Sequence, residues 1–433
     1  MIKCYVHTFY PVAPLKPHYV VVTTGSAGDL FPFLKLAEGL RQRGFPVTFV
    51  APDLHAPMVA RTALAFHGTP VDPAVLRHPD LWHPKRGFAI VWRAVRPGMK
   101  ALLPLIRNLP DVPCVIVAHP LALPEADACR AVRPDLQVAV AYLAPSNIAT
   151  VYDPLVMGPW KVPRWIPHAV RRWLWRQVGK RLIDPVVLPD INADRAALGL
   201  APVNGLFDLM AHAPDLSVTL FPEWFGARQP DWPTPLVCGE FALYDPDPDA
   251  AFSAELSQFL AAGEAPIVFT HGTGNHQASA YFACALDAVT RLGKRAIFLT
   301  GLPEQVPAGL PPTVLWQAYL PFKALLPHAA ALVHHGGIGT TAEALRAGVP
   351  QLIVALAFDQ FDNAARVEAL GAGLGLPHRQ LSPARLASVL QRLVSSSSIR
   401  DNTRAVAARL TPVPSLDSLL DAISDMAKKM GKN

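Results

Sequence analysis

Short apolar runs alternate with amphipathic stretches along almost the whole chain. HYVVVTT (18–24) reads as a strand buried on both faces, and the turn GSAGD (25–29) closes it. In LFPFLKLAEGLRQRG (30–44), Leu30, Phe33, Leu34, Leu36, Ala37 and Leu40 fall on one helical face, and Gly44 supplies a stop. PVTFVAP (46–52) begins the next strand; CVIVAHP (114–120), QVAVAYLAP (137–145) and LSVTLFP (216–222) follow in the same style. An irregular, proline-heavy stretch, EWFGARQPDWPTPLVCGEFALYDPDPDA (223–250), then interrupts the rhythm. The pattern restarts with PIVFT (266–270), KRAIFLTG (294–301), ALVHH (331–335) and PQLIVAL (350–356), and the tail from Pro383 reads as helical.

This alternation predicts an α/β chain with two Rossmann-like domains, each built on an open parallel sheet. The expected divisions are an extension (1–17), an N-terminal domain (18–238), a linker (239–255) and a C-terminal domain (256–433). The last helix is free to return to the N-terminal half. A length of 433 residues also exceeds one ordinary core. With 51% hydrophobic and 17% charged residues, large buried sheets are expected and disorder is not.

Five cysteines, Cys4, Cys114, Cys129, Cys238 and Cys284, are scattered without a CxxC pair. That suits reduced thiols in a cytoplasmic protein and disfavours a zinc site or a disulfide framework. The start, MIKCYVHTFYPVAPLKPH, has no uninterrupted apolar region of the signal-peptide kind, and no apolar stretch is long enough to span a bilayer. The net charge of +6 is a local matter. Residues 158–182 hold Lys161, Arg164, Arg171, Arg172, Arg176, Lys180 and Arg181 and no acid; without these seven, the chain balances 32 basic residues against 33 acidic ones. So confined a basic surface argues against a nucleic-acid binder.

The chemistry concentrates in HHGGIGTTAEALRAGVPQLIVALAFDQFDN (334–363). In a parallel α/β sheet, ligands lie beyond the carboxyl ends of the strands. Gly336, Gly337 and Gly339 let backbone N–H groups approach a bound group closely. Thr340 and Thr341 open a helix whose free N–H groups and dipole favour an anion, by about 0.3–1 kcal/mol. A histidine before the turn can donate to a phosphate oxygen. Glu343, one turn in, can accept from ribose hydroxyls, and Asp359 with Gln360 at the end of the next strand can hold sugar hydroxyls. The segment is built like a nucleotide-sugar cradle. Taken alone, a GGxGTT turn is an ordinary tight turn, and His334 and His335 point to opposite faces of a strand, so they make no metal pair.

The same segment resembles the donor-binding signature of inverting, two-domain nucleotide-sugar-dependent glycosyltransferases of the GT-B type. The resemblance implies His335 on the pyrophosphate, Thr340 on the α-phosphate, Glu343 on the ribose and Asp359-Gln360 on the sugar. Ile338 and Gly339 stand where the plant version has a Trp-Asn pair; the bacterial and sterol-acting branches have small residues there. Tyr319, or its rival Trp316, is the expected platform for the base, with a plain core aromatic as the alternative. VFTHGTGN (268–275) is similar to the family's first C-domain loop, which brings Gly272 and Thr273 to the phosphates and leaves His271 as a loop residue. Two further segments, PDLWHPKRGFAIVWRAVRPGM (79–99) and FPEWFGARQPDWPTPL (221–236), resemble the rhamnosyltransferases of rhamnolipid synthesis.

Sugar transfer with inversion needs a base on the acceptor hydroxyl. By resemblance to the GSRGD and GTRGD turns of the bacterial and sterol-acting branches, Asp29 takes that role, with Ala27 in place of the usual arginine. Asp29 can equally cap a helix beginning at Leu30. His119 lies across the same cleft, either as Asp29's partner or as a plain strand-end histidine. Phe88, Val91, Trp92, Val95 and Met99 share a helical face next to Trp82, which is core by default; in this family such helices wall the acceptor pocket. His119, Trp82, Phe88 and Trp92 are therefore the expected acceptor contacts. In 158–182, with Trp160, Trp165, Trp173 and Trp175, the residues Val170, Trp173, Leu174, Val178 and Leu182 can share a face opposite Arg171, Arg172 and Arg176. Such a helix can lie on an anionic membrane surface or simply pack on its own domain.

The expectation is a metal-independent, inverting hexosyltransferase, cytoplasmic or peripheral on the inner membrane face. It would take rhamnose or glucose from a dTDP- or UDP-sugar, without a further cofactor, to a hydroxyl of an apolar acceptor such as a hydroxy fatty acid or other lipid. A nucleotide-sugar epimerase on the same fold and a non-catalytic nucleotide-sugar-binding subunit are the alternatives.

Overall fold

The computed structural model describes residues 16–153, 156, 158, 161–247 and 251–430; Cys4, Trp160 and nearly all of the N-terminal extension lie outside them. The first sheet contains β1 (His18–Val22), β2 (Val47–Pro52), β3 (Ala65–Thr69), β4 (Cys114–Ala118), β5 (Gln137–Tyr142), β6 (Leu216–Thr219) and β7 (Leu236–Val237), in the order β3-β2-β1-β4-β5-β6-β7. The second contains β8 (Ile267–Thr270), β9 (Ala296–Leu299), β10 (Val314–Gln317), β11 (Ala331–His334), β12 (Gln351–Ile353) and β13 (Gly373–Gly375), in the order β10-β9-β8-β11-β12-β13. Every pairing is parallel. Strand order reverses between β1 and β4 in the first sheet and between β8 and β11 in the second, so each sheet opens a crevice at those carboxyl ends.

The apolar runs became the central strands because those strands are buried on both faces: Tyr19 to Val22 and Cys114 to Ala118 are fully enclosed. β3, β7, β10 and β13 went unread in the sequence, and all four are sheet edges. An edge strand is solvated on one side, so AFHGT and VLWQ carry no continuous apolar run. The helix Ala27–Gln42 buries Leu30, Phe33, Leu34, Leu36, Ala37 and Leu40, as its periodicity requires. It begins three residues before Leu30, with Ser26 as its N-cap.

The last helix, Asp417–Met430, packs on the N-terminal domain rather than on the domain it leaves. Leu420 lies over Gly39, where a Cβ would come within 2.6 Å of Leu420 Cδ1. Arg43 bridges Asp417 and Asp421 at 2.9 and 2.6 Å, and the Tyr19 hydroxyl donates to the Ser424 carbonyl at 3.3 Å. Leu419 and Ile423 are fully buried in the N-terminal core. Ile423→Ala is therefore expected to cost about 2–5 kcal/mol, read as an earlier urea midpoint at unchanged slope.

A smaller core sits apart from the main one, between the helices Gly87–Met99 and Asp184–Ala197. Trp92 is its centre: 2% exposed, packed with Val187, Ile191 and Leu206, its indole N–H donating to Asp190 Oδ2 at 2.9 Å. This corrects the expectation that Trp92 contacts an acceptor, since the ring has no surface left to offer. Phe88 packs on the rim of the same core.

Candidate functional site

The two crevices face each other, and their loops touch. A Cβ on Gly339, at the start of the helix Ile338–Ala347, would lie 3.7 Å from Gly28 Cα, and one on Gly274 would lie 3.7 Å from Ser26 Cβ. The Gln277 side chain donates to the His78 carbonyl at 2.9 Å, and Phe358 meets Trp82 with ring centroids 5.9 Å apart.

On the N-terminal side, Asp29 sits in the first turn of its helix, not before it. Its Oδ2 accepts from the Ser26 N–H at 2.8 Å and the Ser26 hydroxyl at 3.3 Å, so capping and a role in the cleft coexist in one side chain. Oδ1 looks toward His119 Nε2, 3.8 Å away. The Leu121 N–H donates to His119 Nδ1 at 3.2 Å. In the neutral ring the proton therefore sits on Nε2, the nitrogen that faces Asp29. Burial keeps His119 neutral, with its pKa pushed down to about 3, and raises that of Asp29 to about 6.

The shift has a measurable sign. If Asp29 serves as a general base, it works only when deprotonated, so activity is expected to rise with pH, half-maximal near 6, and the limb should vanish from the residual activity of Asp29→Asn. The same carboxyl binds its proton more tightly folded than unfolded. Its contribution to stability is thus present below its ordinary value of 3.8 and lost as the pH rises through about 6.

On the C-terminal side, β11 delivers two histidines to different fates. His334 is fully buried; its Nδ1 accepts from the Gly336 N–H at 3.1 Å and its Nε2 faces Gln351 Oε1 at 2.9 Å. It is a structural residue. The His335 ring occupies a slot between two glycines. A Cβ on Gly272 would stand 2.4 Å from its Cε1, and one on Gly337 2.7 Å from its Nε2. Gly272 also has φ +78°, which L side chains rarely adopt. His335 Nδ1 is buried without a hydrogen-bond partner, and burial holds the ring neutral, with a pKa of about 3. The helix behind it starts at Ile338 with Gly337 as N-cap. Thr341 turns back onto the Gly337 carbonyl at 3.0 Å, which leaves Thr340 half-buried at the helix mouth. Thr273 is exposed in the loop after β8.

Asp359 and Gln360 do not end β12, which stops at Ile353; Asp359 is the N-cap and Gln360 the first residue of the helix Gln360–Ala369. Gln360 is buried, and its side-chain oxygen accepts from the Leu356 and Ala357 N–H groups at 2.7 and 3.1 Å. That oxygen shapes the loop, which leaves only the amide N–H groups free to donate. Asp359 Oδ2 accepts from Asn363 at 2.8 Å, and Asn363 also donates to the Gly336 carbonyl at 2.9 Å, joining the loops after β11 and β12. Asp359 has its pKa raised to about 7, by burial first and by the charge of Asp29 across the cleft second. The two carboxylates are close enough to repel.

Glu343 lies one turn into its helix beside Arg346, which donates to it and forks onto Asp245 of the linker at 3.2 and 3.1 Å. Tyr319 is half-exposed nearby. Burial raises its phenol pKa, against the opposing pull of Arg61 and with help from the charges of Asp247, Glu343 and Asp245. Trp316 spends its indole N–H on the Thr300 carbonyl at 3.0 Å.

Three residues escaped the sequence reading. Asn363 was legible from its spacing, four residues after Asp359 on one helix. Phe358 has φ +55°, an unusual conformation for a bulky residue, and carries its ring from the loop after β12 to Trp82. Arg366 donates to Asp153 Oδ2 at 2.8 Å and the Phe225 carbonyl at 3.1 Å, pinning the helix Gln360–Ala369 to the N-terminal domain. Nothing in the sequence announces either contact.

Residues 284–426 match the family described as erythromycin biosynthesis protein CIII-like, C-terminal domain. O-mycaminosyltylonolide 6-deoxyallosyltransferase of Streptomyces fradiae is 29% identical over 423 residues, 90% of this chain and 91% of that protein. The dTDP-epi-vancosaminyltransferase of Amycolatopsis orientalis is 30% identical over 378 residues, 82% of this chain and 85% of that protein. The solved structure of the glycotransferase of kitacinnamycin superposes with a TM-score of 0.73 at 18% identity, covering 96% of this chain and 100% of that one, and shows the shared two-domain fold.

Proposed function

The chain belongs to the nucleotide-sugar-dependent GT-B glycosyltransferases with an erythromycin CIII-like C-terminal domain, and from that premise we propose an inverting, metal-independent hexose transfer to the hydroxyl of an apolar acceptor. The donor is a dTDP- or UDP-sugar carrying rhamnose or glucose, and the acceptor is a hydroxy fatty acid or another lipid. The aromatic rings of Trp82 and Phe358, 5.9 Å apart where the two halves meet, support the apolar-acceptor reading.

One observation carries the mechanism: the Asp29 turn touches the loops that hold His335, with Gly28 against Gly339 and Ser26 against Gly274, and the charge of Asp29 reaches Asp359. Asp29 accepts the acceptor's proton at Oδ1 while Ser26 steadies Oδ2. The Nε2–H of His119 offers a hydrogen bond to the ionised carboxylate or to the incoming hydroxyl. The hydroxyl oxygen attacks the anomeric carbon and the sugar–phosphate bond breaks. Asp359 and the Gln360 amide hold the sugar hydroxyls, Glu343 the ribose, and Tyr319 the base. His335 and the N–H groups opening Ile338–Ala347 receive the charge that grows on the diphosphate.

Mass spectrometry of products from UDP-glucose, dTDP-glucose and dTDP-rhamnose, each offered with hydroxy-fatty-acid, sterol and phenolic acceptors, tests the proposal. A glycoside of inverted anomeric configuration, formed equally well in EDTA, is the expected product. Sugar isomerised without an acceptor would instead assign an epimerase, and the absence of any conversion across the panel would refute the transferase reading.

A further inference from the structure

We propose that the helix His168–Val178 and the turn that follows it dock on an anionic lipid bilayer. The inference stands on the outward face of this segment and does not depend on which sugar is moved.

The helix is anchored by one face. Arg171, expected among the outward-facing charges, is instead 3% exposed: it donates to the Val151 carbonyl at 2.6 Å and to the Arg164 carbonyl. One turn on, the Trp175 N–H donates to the Thr150 carbonyl at 2.7 Å and its ring meets Phe207 edge-on. With positions 171 and 175 turned inward, the helical period turns 170, 173 and 176 outward. That opposite face is what solvent meets: Trp173 is 51% exposed and Val170 44%. Just before the helix Trp165 is 82% exposed, and just after it Leu182 is 38% exposed.

Beside these apolar groups stand Arg172, Arg176, Lys180 and Arg181, all exposed, and none makes an ion pair among the described residues. No acid interrupts the segment from residue 158 to 182. A surface evolved only for solubility would scatter both signs and keep tryptophan inside. Unpaired guanidinium groups next to exposed indole rings match two layers of one partner, anionic headgroups above and the acyl boundary beneath. An acidic protein surface would satisfy the cations and leave the indoles without a purpose.

The placement also links the surface to the cleft. The anchoring carbonyls of Thr150 and Val151 adjoin Asp153, the residue that Arg366 ties to the helix Gln360–Ala369. Docking would hold the acceptor half of the cleft next to the membrane.

The test is sedimentation of the full chain with phosphatidylcholine vesicles, with and without phosphatidylglycerol. Co-sedimentation is expected only with the anionic vesicles, weakening as salt rises. R172E/R176E should reduce the partition coefficient at least 20-fold, roughly fivefold or more per charge removed. W173A should reduce it severalfold even at low salt, and all variants should keep the wild-type circular dichroism spectrum. Two results would overturn the idea: no binding to anionic vesicles, or equal binding of wild type and W173A to vesicles with full competition by soluble poly-glutamate. The second would point to an acidic protein partner.

Discussion

Exchanging Asp29 for asparagine is expected to slow sugar transfer by roughly 100- to 10,000-fold while leaving the fold and donor affinity unchanged. The choice of asparagine separates two roles. Its side-chain oxygen still accepts from the Ser26 N–H, the 2.8 Å contact that closes the first turn of the helix, so the cap survives. What disappears is a carboxylate whose pKa of about 6 leaves it ionised at neutral pH and basic enough to take a proton. Steady-state rates, a donor titration by calorimetry and a thermal melt distinguish these effects. A variant with more than half of wild-type turnover would remove Asp29 as the base. His119→Ala is expected to act more gently and through Asp29. Burial is the main cause of Asp29's raised pKa, so opening space beside Oδ1 should move the acid limb of the rate profile to lower pH.

The second large effect is expected on the leaving-group side. His335→Ala should lower kcat about 100- to 1,000-fold, the usual consequence of removing one preorganised donor from developing negative charge. Gly272→Ala should approach the same loss with every catalytic group still present. Its Cβ would fall 2.4 Å from His335 Cε1 and its backbone would sit at φ +78°, so either the ring leaves its slot or the loop shifts. A near-normal rate in Gly272→Ala, with the variant folded, would mean that the ring position is unimportant and that the helix N-terminus alone carries the charge.

The central strands and the first helix were readable because their residues are buried on both faces or along one stripe, and burial on that scale leaves a plain periodic record. The four sheet edges left almost none. The candidate donor residues could be picked out because they lie in one continuous segment with fixed spacing, and the fold places His335 directly after β11 and Glu343 one turn into the helix that follows. The contributions from other parts of the chain were harder. His55 Nε2 holds the Gly25 carbonyl at 3.0 Å from a separate strand end, and Gly272 gains its meaning only from the histidine it faces. Trp92 was misread because an apolar stripe looks the same whether it faces a ligand or a second core. Arg171 was misread because charge predicts exposure, except where a guanidinium can satisfy two backbone carbonyls at once.

The polypeptide passes between its two halves twice, once through the linker near Tyr244 and again before Asp417. The two passages run close together, since a Cβ on Gly239 would come within 2.6 Å of Leu419 Cδ1. For engineers who wish to exchange donor preference between relatives, the transplantable unit is therefore an internal insert. It runs from the linker to about residue 413, and the final helix stays with the recipient's acceptor half.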